Sequence, residues 1–315
     1  MNPITVLICD DSALIRNMLS EMLNAEADIQ VVGTAVDPFD AREKIKKLNP
    51  QVLTLDIEMP NMDGLSFLEK IMTLRPMPVI MISTHTQKGA SATIKALELG
   101  AVDCLGKSGQ MGSDLQTLRE ELVAKVRTAA QANVTRRTHA VKTKSEEVIP
   151  FDALRGASPS HLIAIGSSTG GVEALRDIFV RLPSNTPPIV IAQHMPAQFT
   201  PSFAARLDSI SQVNVSEAQH EISLKNGCAY LAPGGRQLSI KKIGHEWKCF
   251  VEEGTSLLGH RPSVDVLFNS VADAAGSNAV GVILTGMGSD GAQGMLRMRE
   301  SGAYNIGQNQ SSCVV

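Results

Sequence analysis

Acidic, hydroxyl and amino side chains follow several short apolar runs in the first 110 residues. In chain order they are Asp10 and Asp11, Asp56, Ser83 and Thr84, and Lys107. Carboxylates that share a crevice repel one another and bind a hard divalent cation such as Mg²⁺, which prefers oxygen ligands. A carboxylate beside such an ion can attack a phosphoryl group and form an aspartyl phosphate. We expect Asp56 to be this acceptor, because it is central and precedes a loop built around Pro60 and Gly64.

These residues have to converge in space before they can share a site. The apolar runs are Val6–Cys9, Gln30–Ala35, Val52–Leu55, Val79–Ile82 and Val102–Leu105, and amphipathic stretches such as 13–23 and 41–48 separate them. This alternation predicts a parallel sheet with helices on both faces. The carboxyl ends of parallel strands meet at one edge, which predicts a cation site at Asp10, Asp11 and Asp56. Lys107 and Ser83 would then contact the phosphoryl oxygens.

A serine in the second half of the chain lies in a pattern typical of a nucleophile. Residues 166–170 read Gly-Ser-Ser-Thr-Gly and match G-x-S-x-G, a sharp turn between a strand and a helix that exposes a hydroxyl group. An amphipathic helix is predicted over Val172–Leu182, and its N-terminus offers free N–H groups to an oxyanion. A Walker A phosphate loop would need lysine where Val172 stands, which disfavours that alternative. An ordinary tight turn stays open for the pattern alone.

Two further junctions between a strand and a loop could complete a hydrolytic site. His194 follows the apolar run 189–193, where a general base could stand, and Asp290 lies in a Gly-rich loop after the run 279–284. A carboxylate in that place can orient an imidazole. The chain order Ser, His, Asp differs from the Ser, Asp, His order of α/β-hydrolases and indicates a different α/β fold.

Each of these residues has a rival interpretation. A lone histidine is more often structural than catalytic, and His260 competes with His194 for the role of base, while His220 and His245 lie in polar, turn-rich sequence typical of the surface. Residues 286–291 also match G-x-G-x-x-G, a dinucleotide fingerprint. That motif expects an acid about 20 residues later, where Ser311 stands, so the dinucleotide interpretation is the less favoured one.

Composition excludes several classes of protein. The formal net charge of −3 and the pI of about 6.2 argue against a general nucleic-acid binder. No apolar run approaches the roughly 20 residues of a membrane helix. The five cysteines are far apart and contain no CxxC, as expected for reduced thiols in a cytoplasmic protein. We expect two domains, 1–127 and 159–315, joined by a polar linker over 128–158.

With Asp10, Asp11, Asp56, Ser83 and Lys107 in this strand order, residues 3–127 resemble the receiver domain of bacterial response regulators. The resemblance implies a flavodoxin-like (βα)5 fold and Mg²⁺-dependent phosphorylation. Two positions depart from the usual pattern: Ser108 replaces the proline after the lysine, and Cys104 stands where an aromatic residue is usual.

The second half, behind a receiver, resembles the chemotaxis protein-glutamate methylesterases of the CheB family. The motifs that carry the resemblance are Gly-Ser-Ser-Thr-Gly-Gly at 166–171, Gln-His-Met-Pro at 193–196, His-Arg-Pro-Ser-Val-Asp-Val-Leu-Phe at 260–268 and Leu-Thr-Gly-Met-Gly-Ser-Asp-Gly-Ala at 284–292. It implies a C-terminal parallel α/β domain with an antiparallel β excursion. Ser168 would be the nucleophile, His194 the base and Asp290 the orienting acid, with Thr169 and Met287 at the oxyanion site.

The resemblance also implies a biological setting. The substrates would be methyl-accepting chemoreceptors, demethylated at glutamate γ-methyl esters with release of methanol and deamidated at glutamines without a cofactor. A chemotaxis histidine kinase would be the phosphodonor, and the receiver would cover the esterase cleft until Asp56 is phosphorylated. We expect a cytoplasmic monomer that neither binds nucleic acid nor inserts into a membrane.

Three expectations remain open. The family's chain continues beyond an apolar strand at Cys313–Val315, so we expect this chain to be incomplete there. Two alternative functions also remain: a receiver that controls a nucleic-acid-binding domain, and an NAD(P)-dependent enzyme that uses residues 286–291.

Overall fold

The computed structural model describes residues 2–60, 62–83, 86–107, 115–134, 161–254 and 260–315. The chain divides into two compact units, residues 1–142 with 314–315, and residues 143–313. None of the helices within the described ranges has the length and apolarity that a membrane crossing requires.

The first unit is built on a parallel sheet in the order β2-β1-β3-β4-β5. Its strands are β1 (Ile4–Cys9), β2 (Ile29–Ala35), β3 (Val52–Asp56), β4 (Val79–Ser83) and β5 (Asp103–Gly106). Its helices are α1 (Ala13–Asn24), α2 (Pro38–Leu48), α3 (Gly64–Leu74), α4 (Gln87–Glu98) and α5 (Leu115–Gln131). The predicted alternation of strands and helices is therefore confirmed.

Both faces of this sheet are buried. Val6 and Ile8 on β1 pack with residues of α1 and α5 on one face. Leu7 and Leu53 point to the other face and are also fully buried, because successive side chains of a strand alternate between faces. The chain reverses its strand order between β1 and β3, and such a switch point is where open α/β sheets bind ligands.

The second unit contains a six-stranded parallel sheet in the order β13-β12-β6-β7-β9-β8. Its strands are β6 (Leu162–Ser167), β7 (Ile189–Gln193), β8 (Asn214–Glu217), β9 (Cys228–Leu231), β12 (Ala279–Ile283) and β13 (Tyr304–Gly307). Its helices are α6 (Gly171–Phe179), α7 (Thr200–Ile210), α8 (Val264–Ala275) and α9 (Ala292–Glu300). The helix predicted over Val172–Leu182 thus ends at Phe179.

The antiparallel excursion is a hairpin of β10 (Gln237–Ile243) and β11 (Glu246–Glu252). The hairpin packs on α8, where Leu238 and Ile240 join the buried cluster that includes Leu267 and Val271. The indole N–H of Trp247 donates a 3.1 Å hydrogen bond to the carbonyl oxygen of Ala274 near the end of α8. These contacts fix α8 against the hairpin, so they also fix the start of α8.

The prediction of a strand at Cys313–Val315 is wrong. The last strand is β13, and a short 3₁₀ turn at Gln310–Ser312 follows it. Asn309 caps that turn by accepting a 2.9 Å hydrogen bond from the N–H of Ser311, so the chain leaves the strand direction before the apolar residues are reached.

The linker predicted over 128–158 lies largely outside the described residues, and α5 occupies its first four positions.

Candidate active sites

The acidic side chains of the first unit meet at the carboxyl edge of its sheet. Asp10 follows β1, Asp56 ends the adjacent strand β3, and one oxygen from each of Asp10, Asp11 and Asp56 lies within 4.8 Å of the others. Asp10 and Asp56 are buried, and Asp11 is exposed. Three carboxylates at this spacing fit a divalent cation of the Mg²⁺ type, which needs few protein oxygens and keeps positions for water and phosphate.

Lys107 supplies the positive charge of this site. Its ammonium nitrogen lies 2.9 Å from an oxygen of Asp10 and 2.8 Å from an oxygen of Asp56. Burial raises the pKa of Asp56 to about 6, and Asp10 adds to the rise, whereas Lys107 opposes it. Burial lowers the pKa of Lys107, but the two carboxylates outweigh it and raise that pKa above its ordinary value.

Of the remaining residues predicted near this site, two are described by the structure and two are not. Ser83 is buried at the end of β4, next to β3, and its hydroxyl group donates a 3.2 Å hydrogen bond to the carbonyl oxygen of Gly89 in α4. Cys104, which stands in the usual aromatic position, is buried in β5. Thr84 and Ser108 lie outside the described residues.

In the second unit, three neighbouring strands carry the predicted hydrolytic residues. Asp290 follows β12, Ser168 follows β6 and His194 follows β7, and β6 lies between the other two strands. The sequence separates Ser168 from Asp290 by more than 100 residues, yet parallel pairing brings all three strand ends to the same edge.

The three side chains form one hydrogen-bonded row. The Oγ atom of Ser168 lies 3.1 Å from Nδ1 of His194, and Nε2 of His194 lies 2.8 Å from Oδ2 of Asp290. A carboxylate that accepts the Nε2 proton leaves the lone pair of Nδ1 directed at the serine hydroxyl group. The arrangement can therefore remove a proton from Ser168 as its oxygen attacks a carbonyl carbon.

The N-terminus of α8 stabilises Asp290. Its carboxylate accepts hydrogen bonds from the Ser263 hydroxyl group at 2.8 Å, from the N–H of Val264 at 2.8 Å and from the N–H of Asp265 at 3.0 Å. Burial raises the pKa of Asp290, but these bonds and the one from His194 outweigh burial and hold the pKa well below its usual range. Asp290 is therefore ionised at neutral pH.

The loop after β12 closes against the serine turn. The N–H of Ser168 donates to the carbonyl oxygen of Thr285 at 3.0 Å, and the Thr285 hydroxyl group donates to the carbonyl oxygen of Thr169 at 3.1 Å. A Cβ atom on Gly286 would lie 2.6 Å from Cβ of Ser168, so only glycine allows this approach. Met287 follows with a half-exposed side chain.

The three histidines considered as competitors of His194 differ in their contacts with the row. His220 and His245 are exposed, as their polar sequence predicts. His260 takes no place in the row from Ser168 to Asp290, but its ring stacks on that of His194.

Relatives show which family combines these two units. Residues 6–120 match the response regulator receiver domain, and residues 163–315 match the CheB methylesterase domain. A protein of Caulobacter vibrioides is 54% identical over 100% of this chain and 90% of its own length. One of Geobacter metallireducens is 50% identical over 99% of this chain and 88% of its own. Both are named protein-glutamate methylesterase/protein-glutamine glutaminase 1.

The chain belongs to the CheB methylesterase family. A receiver followed by a methylesterase domain is therefore its organisation, and the chain is an enzyme of the hydrolase class. The alternative of a nucleic-acid-binding output is wrong, because a methylesterase domain occupies the place of that output. The dinucleotide interpretation of residues 286–291 is replaced by contacts within the esterase: Gly286 abuts Ser168, and Asp290 binds His194 and α8.

Sequence reasoning missed two side chains of this CheB-family site. Gln193 lies in β7 beside Ser167, and its carboxamide nitrogen donates to the carbonyl oxygens of Ser168 at 2.9 Å and His194 at 3.1 Å, which ties the two loops together. Ser263 caps α8 and binds Asp290. A serine directly before an amphipathic stretch is a cap signal that could have located the start of α8, although not its contact with Asp290.

Proposed function

We propose that this protein is a phosphorylation-regulated esterase and deamidase that acts on glutamate γ-methyl esters and glutamines of chemoreceptors. The observation that carries the proposal is the hydrogen-bonded row from Ser168 through His194 to Asp290. The names of relatives that match essentially the whole chain supply the substrate class.

Ser168 is the nucleophile of the proposed reaction. Its Oγ atom forms a bond to the carbonyl carbon of the ester while its proton passes to Nδ1 of His194, which gives a tetrahedral oxyanion. The imidazolium then returns the proton to the departing methoxy oxygen, the C–O bond breaks, and methanol leaves. Water attacks the acyl-enzyme with His194 again accepting the proton, and the products are the free glutamate and the regenerated serine. Glutamine follows the same route with ammonia as the leaving group.

The oxyanion would be stabilised beside Ser168. We assign this role to the Thr169 side chain and to the backbone around Met287, because the loop of Met287 is in contact with the serine turn through Gly286. The helix α6 begins at Gly171, directly after the turn, and contributes the positive end of its dipole. These groups favour the charged intermediate over the neutral ester.

The receiver supplies the regulation. Asp56 would accept the phosphoryl group, Lys107 and Ser83 would contact its oxygens, and Asp10, Asp11 and Asp56 would hold Mg²⁺. When bound, the ion neutralises charge that develops on the transferred phosphoryl group. A chemotaxis histidine kinase is the proposed phosphodonor, and the esterase reaction itself needs no cofactor. Cytoplasmic location and a monomeric state stay predictions.

Methanol release from methylated receptor membranes tests the proposal, measured on the full chain with and without acetyl phosphate and Mg²⁺. We expect release in all samples and a faster rate with both additions. Asp56→Asn is expected to keep the basal rate and lose the increase. Absence of methanol release would contradict the esterase, and an equal increase in Asp56→Asn would contradict the assigned phosphoacceptor.

A further inference from the structure

The ring of His260 lies flat against the ring of His194. The ring centroids are 4.0 Å apart and the planes differ by 8°. His260 is exposed at the surface, whereas the His194 side chain is 12% exposed. The stack therefore covers one face of the imidazole whose two nitrogens contact Ser168 and Asp290.

A short segment, residues 260–263, connects this stack to the acid of the site. His260 is its first residue, and Ser263 is its last residue and donates a 2.8 Å hydrogen bond to Asp290. The two ends of one four-residue segment thus contact two neighbouring members of the catalytic row.

A single carboxamide holds both ends of segment 260–263. Gln237 is the first residue of β10. Its Nε2 donates a 3.1 Å hydrogen bond to the carbonyl oxygen of His260, and its Oε1 accepts a 2.8 Å hydrogen bond from the N–H of Ser263. Gln237 is buried, and the N–H of Gly235 donates to the carbonyl oxygen of Arg261 at 3.0 Å. The backbone that carries His260 is therefore anchored to the hairpin rather than loosely attached.

The stack restrains a motion of the His194 ring that its two hydrogen bonds do not prevent. Those bonds lie in the plane of the ring and hold two of its edges, but they resist tilting of the plane only weakly. A second ring against the face resists tilting. It also presents a π-face to His194 when that ring carries a positive charge in the transition state, and an aromatic face attracts a cation. The attraction arises only when His194 carries the proton in the transition state, and alignment of the ring favours the proton transfer itself, so both effects are expected in kcat.

We propose that His260 is a positioning residue of the esterase, whose ring covers one face of His194 and keeps it aligned between Ser168 and Asp290. The proposal rests on the function proposed above, in which His194 is the base. It assigns His260 no proton transfer and no contact with substrate.

The test compares His260→Leu with His260→Phe in the full chain, with His245→Leu as the matched control because His245 is exposed in the turn of the hairpin. The measurements are kcat and KM for methanol release from methylated receptor membranes, and the thermal midpoint by circular dichroism. His260→Leu is expected to lower kcat roughly 10-fold with KM within twofold and an unchanged midpoint. Phenylalanine keeps a flat ring and is expected to restore most of kcat.

Three results would overturn the proposal. Equal kcat in His260→Leu and His245→Leu would remove any role in catalysis. Equal losses in the Leu and Phe variants would indicate that His260 transfers a proton, and a selective rise in KM would indicate contact with substrate. Ser168→Ala, measured alongside, separates this inference from the proposed function: full activity there refutes the catalytic row itself, whereas inactivity there with normal His260→Leu refutes only the role of His260.

Discussion

The hydroxyl group of Ser167 donates a 2.6 Å hydrogen bond to the carboxamide oxygen of Gln193, and both side chains are buried. The neighbouring Ser168 instead faces His194. The two adjacent serines therefore differ: the hydroxyl group of Ser167 is buried in a structural hydrogen bond, whereas that of Ser168 is available to react. The relationship matters because the G-x-S-x-G pattern selects Ser168, and the structure shows that the adjacent Ser167 is occupied by another contact.

Replacement of the two serines is expected to give opposite outcomes. Ser168→Ala removes the proposed attacking oxygen and should lower methanol release by roughly 10³-fold or more. Ser167→Ala removes only the bond to Gln193 and should retain most of the activity. Initial rates on methylated receptor measure both. Near-normal activity in Ser168→Ala together with loss in Ser167→Ala would assign the nucleophile to Ser167.

Asp290→Asn is expected to lower kcat by about 10³- to 10⁴-fold, as the loss of the orienting acid does in serine hydrolases. The asparagine amide would direct N–H groups at donors of α8 and would no longer select the His194 tautomer. Asp273→Asn is the control, because Asp273 is an exposed carboxylate of α8 that pairs with Arg297. Steady-state kinetics of both variants would reject the assignment if Asp290→Asn stayed within tenfold of the parent.

Gly286→Ala is expected to reduce kcat about 100-fold, because the added methyl group would lie 2.6 Å from Cβ of Ser168 and displace that side chain. The matched control is Gly307→Ala, where the nearest atom would lie 3.9 Å away in ordinary contact. An active-site titration with a serine-directed electrophile checks the geometry independently of substrate binding. Equal labelling rates in the two variants would contradict close packing of these loops.

The pKa of Asp56 makes the stability of the receiver depend on pH. Its folded value of about 6 exceeds the value of 3.8 expected for an unperturbed carboxyl group, so the folded state holds the proton more tightly. The free energy of unfolding should therefore fall as pH rises from about 4 to about 6 and stay level above that.

Asp56→Asn should remove this dependence and raise the free energy of unfolding at pH 7 by up to about 3 kcal/mol in buffer without divalent cations. Hydrogen exchange of receiver amides against pH measures the effect. Glu43→Gln, at an exposed position of α2, is the control. An unchanged dependence in Asp56→Asn would show that another group is responsible.

Much of this structure follows from local sequence. The apolar runs before Asp10, Asp56, Ser168 and His194 became strands, since each is short, apolar and followed by polar residues. Parallel pairing then explains why residues far apart in sequence share an edge. The placement of Ser168, His194 and Asp290 on separate strand ends needed no more information than that.

Contacts between side chains of different loops could not be predicted in this way. Gln193 resembles any polar residue that ends a strand, and its bonds to the backbones of Ser168 and His194 exist only once β6 and β7 are paired. The motif around His260 predicts a rival base, but the stack on His194 depends on how Gln237 anchors the backbone of His260. The error at Cys313–Val315 has the same origin, because an apolar run cannot show that Asn309 turns the chain beforehand.

The packing of Trp247, in β11, against the end of α8 has a practical consequence. It is the single tryptophan of the chain, and the two tyrosines, Tyr230 and Tyr304, also belong to the second unit. Tryptophan and tyrosine fluorescence of the intact protein therefore arises from the second unit alone. A change in Trp247 fluorescence during denaturation is expected to report loss of its contact with α8. The first turn of the same helix donates hydrogen bonds to Asp290, so the unfolding of this region can be followed without a label.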